Sequence, residues 1–191
     1  MRVVNGVPFD FQIKGSDLPA GSKFSIPNSE WSGRGSNSEV IGGWGVDEGR
    51  EYLERSRRVD GWWTYLLRGS QTLTAPEQVG CNVVQYETTE GAQIALIEYS
   101  VLSNPNRAKG FKFILANEEF LDLGEMSLAY YIDEMQSSGV MYTTYTIEST
   151  YYNYLVSCDG YGRKTEVKPE YVADLVNIVF EKMKLAGLIN P

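Results

Sequence analysis

The sequence predicts an α+β fold: one domain spanning residues 1–191, with a mainly antiparallel sheet covered by amphipathic helices. Three observations carry this. Residues 140–148 and 151–158 are dense in Tyr, Thr, Val and Ile and separated by two residues, which is the signature of a β-hairpin. Val172, Leu175, Val176, Val179, Phe180 and Met183 recur at helical spacing after Pro169, so one helix carries an apolar stripe that needs a sheet to cover. Finally, strands, helix, strands and helix follow one another with hairpin-like connections, unlike the regular alternation of a parallel βαβ fold.

Taken in order, Phe9, Phe11 and Ile13 alternate with polar residues and suit a short strand, followed by a turn over 15–21. Residues 29–49 are rich in Gly and Ser around Trp31 and Trp44, show no period, and read as a long surface loop. Arg50, Arg55, Arg57 and Arg58 then sit beside Tyr52 and Leu53 in what reads as a helical turn. Residues 61–68 read as a strand between Gly61 and Gly69. Alternation puts Trp63, Tyr65 and Leu67 on one face, expected to be the core, and Trp62, Thr64 and Arg68 on the other. A second strand over 79–87 places Val79, Cys81 and Val83 on one face. Thr88 and Thr89 are caps for a helix with Ala92, Ala95, Leu96, Tyr99 and Leu102 at helical spacing, ended by Asn104-Pro105-Asn106. Strands at 111–115 and 127–132 flank an acidic turn over 117–125. After the hairpin, Asp159-Gly160-Tyr161-Gly162 is expected to turn the chain out of the sheet. Lys182, Lys184 and Gly187 mark the end of the last helix.

Composition limits the chemistry. The chain has no histidine, which excludes Ser-His-Asp and Cys-His nucleophilic sites and histidine-ligated zinc, and two cysteines cannot make a four-thiolate site. The net charge of -8 is local: residues 113–162 hold eight acids and no Lys or Arg, together with eight of the thirteen tyrosines. Such a field repels nucleic acid, so no nucleic-acid partner is expected. No apolar run reaches the roughly 18 residues of a membrane-spanning helix. The acidic turn lacks the ligand spacing of an EF-hand, so it reads as solvated and no metal is expected. Glycines 33, 35, 42, 43 and 45 lack the following Lys-Ser/Thr of a phosphate loop, and no cofactor is expected. Carboxylate pairs drawn from Glu118, Asp122, Asp133 and Glu148 carry no information in their spacing, because the separation a glycosidase needs is spatial. Intervening Glu51, Glu54 and Asp60 nearly neutralise the arginine cluster, which is expected to form a salt-bridged surface facing the acidic segment of the same molecule or of a neighbour. Cys81 and Cys158 are expected to be buried, and whether they bond is open.

These exclusions leave a non-catalytic binding or accessory domain whose ligand is a small molecule or a partner protein. No catalytic residue is assigned. The binding site is expected where the loop carrying Trp44 meets the strand face of Trp62, Thr64 and Arg68, an apolar surface with one cationic group that suits an aromatic or anionic ligand. The alternatives are an enzyme working through carboxylates or tyrosine, and a structural subunit of an assembly.

Several short motifs add a resemblance. Asp17-Leu18-Pro19-Ala20-Gly21 lies near the start, Arg58-Val59-Asp60-Gly61-Trp62 leads a strand, and Tyr86-Glu87-Thr88-Thr89-Glu90-Gly91-Ala92 joins a strand to a helix. Leu123-Gly124-Glu125-Met126-Ser127-Leu128-Ala129-Tyr130 precedes the Tyr-rich hairpin and terminal helix. Across nearly its whole length the chain resembles bacterial extracytoplasmic domains, often lipoproteins, of the PsbP-like and LpqN-like α+β type. The resemblance implies an envelope location and a non-enzymatic binding role, with a lipid anchor where the protein is a lipoprotein. The chain departs from that pattern in having no lipidation cysteine near its start.

Overall fold

The computed structural model describes residues 2–18, 23–25, 32–69, 75–100, 113–115 (backbone only) and 123–189. In chain order these form β1 (Val3–Val4), 3₁₀ turns at Pro8–Phe11 and Gly15–Asp17, β2 (Phe24–Ser25), β3 (Gly33–Arg34), α1 (Asn37–Trp44), α2 (Val46–Ser56), β4 (Arg58–Arg68), β5 (Gln78–Tyr86), α3 (Thr89–Tyr99), β6 (Phe113–Leu115), β7 (Met126–Met135), β8 (Met141–Tyr151), β9 (Tyr154–Arg163), α4 (Pro169–Ala186) and β10 (Leu188–Ile189). The main sheet runs β2-β4-β5-β9-β8-β7-β6, with β3 also on β4 and β1 paired with β10 apart from it. Every pairing among the described residues is antiparallel. This is the expected α+β architecture.

The helix α4 covers one face. Its six stripe residues are all buried against Val79, Cys81, Val83, Ile147, Val156 and Cys158. Cys81 and Cys158 are directly opposed on β5 and β9, 4.1 Å apart at Cα, and form a disulfide. The helices α1, α2 and α3 lie on the other face. Thr88 caps α3 by accepting from the Gly91 N–H at 3.0 Å, and Ala92 and Ala95 pack on Val84 and Tyr86.

Four expectations are corrected. Residues 9–13 are no strand: Pro8 occupies the first position of a 3₁₀ turn, and the Asp10 carboxylate accepts from the Val7 N–H at 3.0 Å, turning Phe11 into the core. The long loop is mostly α1 and α2. Ser36 and Glu39 form a reciprocal capping box, with the Ser36 N–H donating to Glu39 Oε2 at 2.6 Å, and Gly45 at φ 94° joins the two helices. On β4 the faces are reversed: Leu66 is 1% exposed and Thr64 0%, whereas Leu67 is 40% exposed. Pairing Thr64 with Cys81 and Leu66 with Val79 commits the even positions to the face under α4. Residues 159–162 stay in β9 and do not turn out of the sheet. Gly160 serves packing there, since a Cβ would meet Pro76 at 3.1 Å and Val172 at 3.2 Å. The ends expected for the 92–102 helix, at 104–106, and most of the acidic turn, including Glu118 and Asp122, lie outside the described residues.

Candidate functional site

Among the described residues the face of the sheet opposite α4 is only partly covered, and what they leave open is a groove across the strands. One row of register partners crosses five strands: Tyr65 on β4, Gly80 on β5, Asp159 on β9, Thr146 on β8 and Tyr130 on β7. Side chains at one register level share a face, so the row is a floor of small and polar groups between two tyrosines. A Cβ on Gly80 would lie 2.4 Å from Asp159 Oδ1 and 2.9 Å from the Tyr65 ring, so glycine is what lets these two side chains settle over β5. The next row brings Asn82, Ser157 and Glu148 side by side.

Two cavities share this floor. The outer, of about 500 Å³, is lined by Tyr65, Tyr130, Thr146, Asp159 and Tyr161 among others. The inner, of about 290 Å³, has an aromatic wall. Trp44 packs on Tyr52 at 4.3 Å between ring centroids, Tyr52 on Tyr99 at 4.9 Å, and the Tyr52 and Tyr86 hydroxyls are hydrogen-bonded at 2.8 Å. Glu148 and Ser157 line both cavities. Neither lining contains a Lys or Arg among the described residues.

The electrostatics follow from burial. Glu148 is 8% exposed and accepts from the Tyr130 hydroxyl at 3.3 Å. Burial, then the Glu148 charge, pushes the Tyr130 phenol far up, so it stays a protonated donor. Burial also raises Tyr65, with the charge of Asp159 adding to it. Asp159 itself is pushed up to about 6 by burial, and among the described residues it has no hydrogen-bond or ion-pair partner. Asn82 Oδ1 is a buried acceptor without a donor among those residues. The floor therefore presents acceptors and negative charge, and the walls present aromatic rings.

The four residues expected to form a binding site are not brought together. Trp44 lines the inner cavity. Trp62, Thr64 and Arg68 are on β4 positions that face the other side of the sheet, where Phe9 packs edge-on against Trp62 at 4.7 Å and Thr64 lies 3.4 Å from Gln12 Oε1. Arg68 is buried in an ion pair with Glu166 at 3.3 Å and donates to the Ala75 carbonyl. Among the described residues Arg55 pairs with Glu51 and Glu98 and Arg57 with Glu87, the local neutralisation expected for the cluster, and Arg58 donates to Asn37 and to the Gly35 carbonyl, each at 2.6 Å. Among the described residues no group of three or more acidic or Cys side chains is placed to hold a metal ion. Sequence reasoning missed Asp159, Ser157, Tyr130 and Tyr65, although the base-free, tyrosine-rich stretch 113–162 supplies three of them.

No protein-family model matches the chain, and no curated protein matches it. Among solved structures it is similar to the extracellular domain of PknH from Mycobacterium tuberculosis, at 11% identity and a TM-score of 0.54, over 95% of this chain and 98% of that one. The two share a fold. No helix among the described residues is long and apolar enough to cross a membrane.

Proposed function

We propose that this chain is a non-catalytic recognition domain of the cell envelope, which takes a small molecule or a partner's side chain into the groove opposite α4. One observation carries the reading: two cavities that share Glu148 and Ser157 in their linings place a buried carboxylate between an aromatic wall and a polar, tyrosine-flanked floor. The disulfide between Cys81 and Cys158 suits an oxidising compartment, and the likeness to an extracellular domain supports the same location. The test is a fragment screen by amide chemical-shift mapping on the intact chain. Hits are expected to shift Gly80, Ser157 and Asp159, and Gly80→Val, which fills the floor, to abolish them. Hits that cluster on the α4 face instead, or that survive Gly80→Val, overturn the assignment.

A second reading has one observation of its own. Glu148 and Asp159 stand diagonally on β8 and β9, and a carboxyl at about 6 beside a second carboxylate is how acid–base pairs are built. Turnover of aryl glycosides or esters with a bell-shaped pH profile, lost in Glu148→Gln and Asp159→Asn, would establish it. Absence of turnover across both substrate classes leaves recognition as the function.

A further inference from the structure

From the groove's chemistry we infer that its ligand carries an organic cation, an ammonium, guanidinium or amidinium group, seated between Asp159 and Glu148 and walled by Tyr65, Tyr130 and Tyr161. This rests on the reading of the groove as the ligand site and narrows what that site accepts.

Charge balance is the first argument. A buried carboxylate is stable in proteins when an opposite charge or a set of donors meets it. Glu148 has the Tyr130 hydroxyl, but among the described residues the half-buried Asp159 has neither kind of partner and no Lys or Arg lines either cavity. An anionic ligand meets two carboxylates, and a neutral one leaves the charge uncompensated. A cation repairs both.

Donor matching is the second. Asp159, Glu148 and the unsatisfied Asn82 Oδ1 are acceptors, so a ligand head that is donor-only complements them. The third is the aromatic wall, since cations seat favourably over tyrosine faces. The outer cavity, at about 500 Å³, has room for an organic head group.

Asp159 is faced by Tyr65 from β4, Tyr130 from β7, Glu148 from β8 and Tyr161 from β9, while β5 contributes only Gln78 and Gly80 there. Tyr65, Tyr130 and Tyr161 are all raised by burial and do not titrate below neutrality. Ionisation of Asp159 therefore tunes cation binding in mildly acid solution.

The experiment uses benzamidine as the cation, benzamide as its neutral isostere and benzoate as the anion, measured by calorimetry and shift mapping on the intact chain at low salt. Benzamidine is expected to bind in the groove at least about tenfold tighter than benzamide, with benzoate weakest, because charge is what separates the three. Asp159→Asn and Glu148→Gln should each shrink the ratio of benzamidine to benzamide affinity. Without any mutation, benzamidine affinity should fall about tenfold between pH 7.5 and pH 5 as Asp159 takes up its proton. Benzamide binding as tightly as benzamidine in the groove, or a cation preference that survives both substitutions and the pH change, overturns this inference and leaves the recognition site standing. No ligand of any charge in the groove overturns both.

Discussion

The two faces of one sheet make opposite uses of the same strands. On β9, Val156 and Cys158 are fully buried against α4, while their neighbours Ser157 and Asp159 open onto the groove. On β8, Ile147 packs in the dry core and Glu148 lines both cavities. Period-2 alternation produces this division, since successive side chains leave a strand on opposite sides. The covered face maximises apolar burial and holds the disulfide. The groove face leaves the Asp159 carboxylate half-buried with no counter-charge among the described residues, an arrangement that opposes stability.

The contrast can be broken most severely on the covered side. Phe180→Ala, which removes a ring stacked on Tyr151 at 5.1 Å and buried in the core, should lower unfolding free energy by about 3–5 kcal/mol in denaturant titration. A loss below about 1 kcal/mol would show that α4 is not packed as described. Next comes the crosslink. Replacing both Cys81 and Cys158 by Ala frees a loop closed over 77 residues and should cost about 2–4 kcal/mol, read as a lower denaturation midpoint. An unchanged midpoint, or two alkylatable thiols in protein purified from an oxidising compartment, would remove the disulfide from the account.

On the groove side the expected sign reverses. The folded-state carboxyl of Asp159 at about 6 lies above its ordinary value of 3.8, so the folded chain holds the proton more tightly than the unfolded chain. The resulting destabilisation is absent below about pH 4, grows as pH rises through 6, and is complete by about pH 8. Asp159→Asn should therefore stabilise the protein by up to about 3 kcal/mol at pH 8 and by nothing at pH 3.5. A destabilised variant at pH 8 would mean that the carboxylate has a partner in the folded chain. Smallest of all, Thr144→Ala, on the groove lining and outside both cores, should stay within about 0.5 kcal/mol of the parent. A larger loss would show that this part of the groove is packed rather than open.

Much of the architecture is legible locally. The stripe on α4, its start at Pro169 and its stop at Gly187, the β8–β9 hairpin and the Thr88 cap all follow from intervals of two, three or four residues. The helices α1 and α2 were also written locally, in the Ser36–Glu39 capping box, but glycines at 42, 43 and 45 masked the helical period.

The sequence by itself determined the fold class, the apolar stripe of α4, the absence of histidine chemistry and the concentration of acids and tyrosines in residues 113–162. Tertiary structure alone decided which face of β4 is buried, because both sets of alternating residues are apolar enough to be core. Only register with Val79 and Cys81 separates them. The groove is tertiary for the same reason: Tyr65, Gly80, Tyr130, Thr146 and Asp159 come from five strands and meet only when every pairing is in place. Local periodicity encodes which face of its own strand a side chain takes. Which side chains stand beside it is set by cross-strand hydrogen bonding between segments far apart in the chain, and that pairing gathers part of a diffuse acidic stretch into one groove.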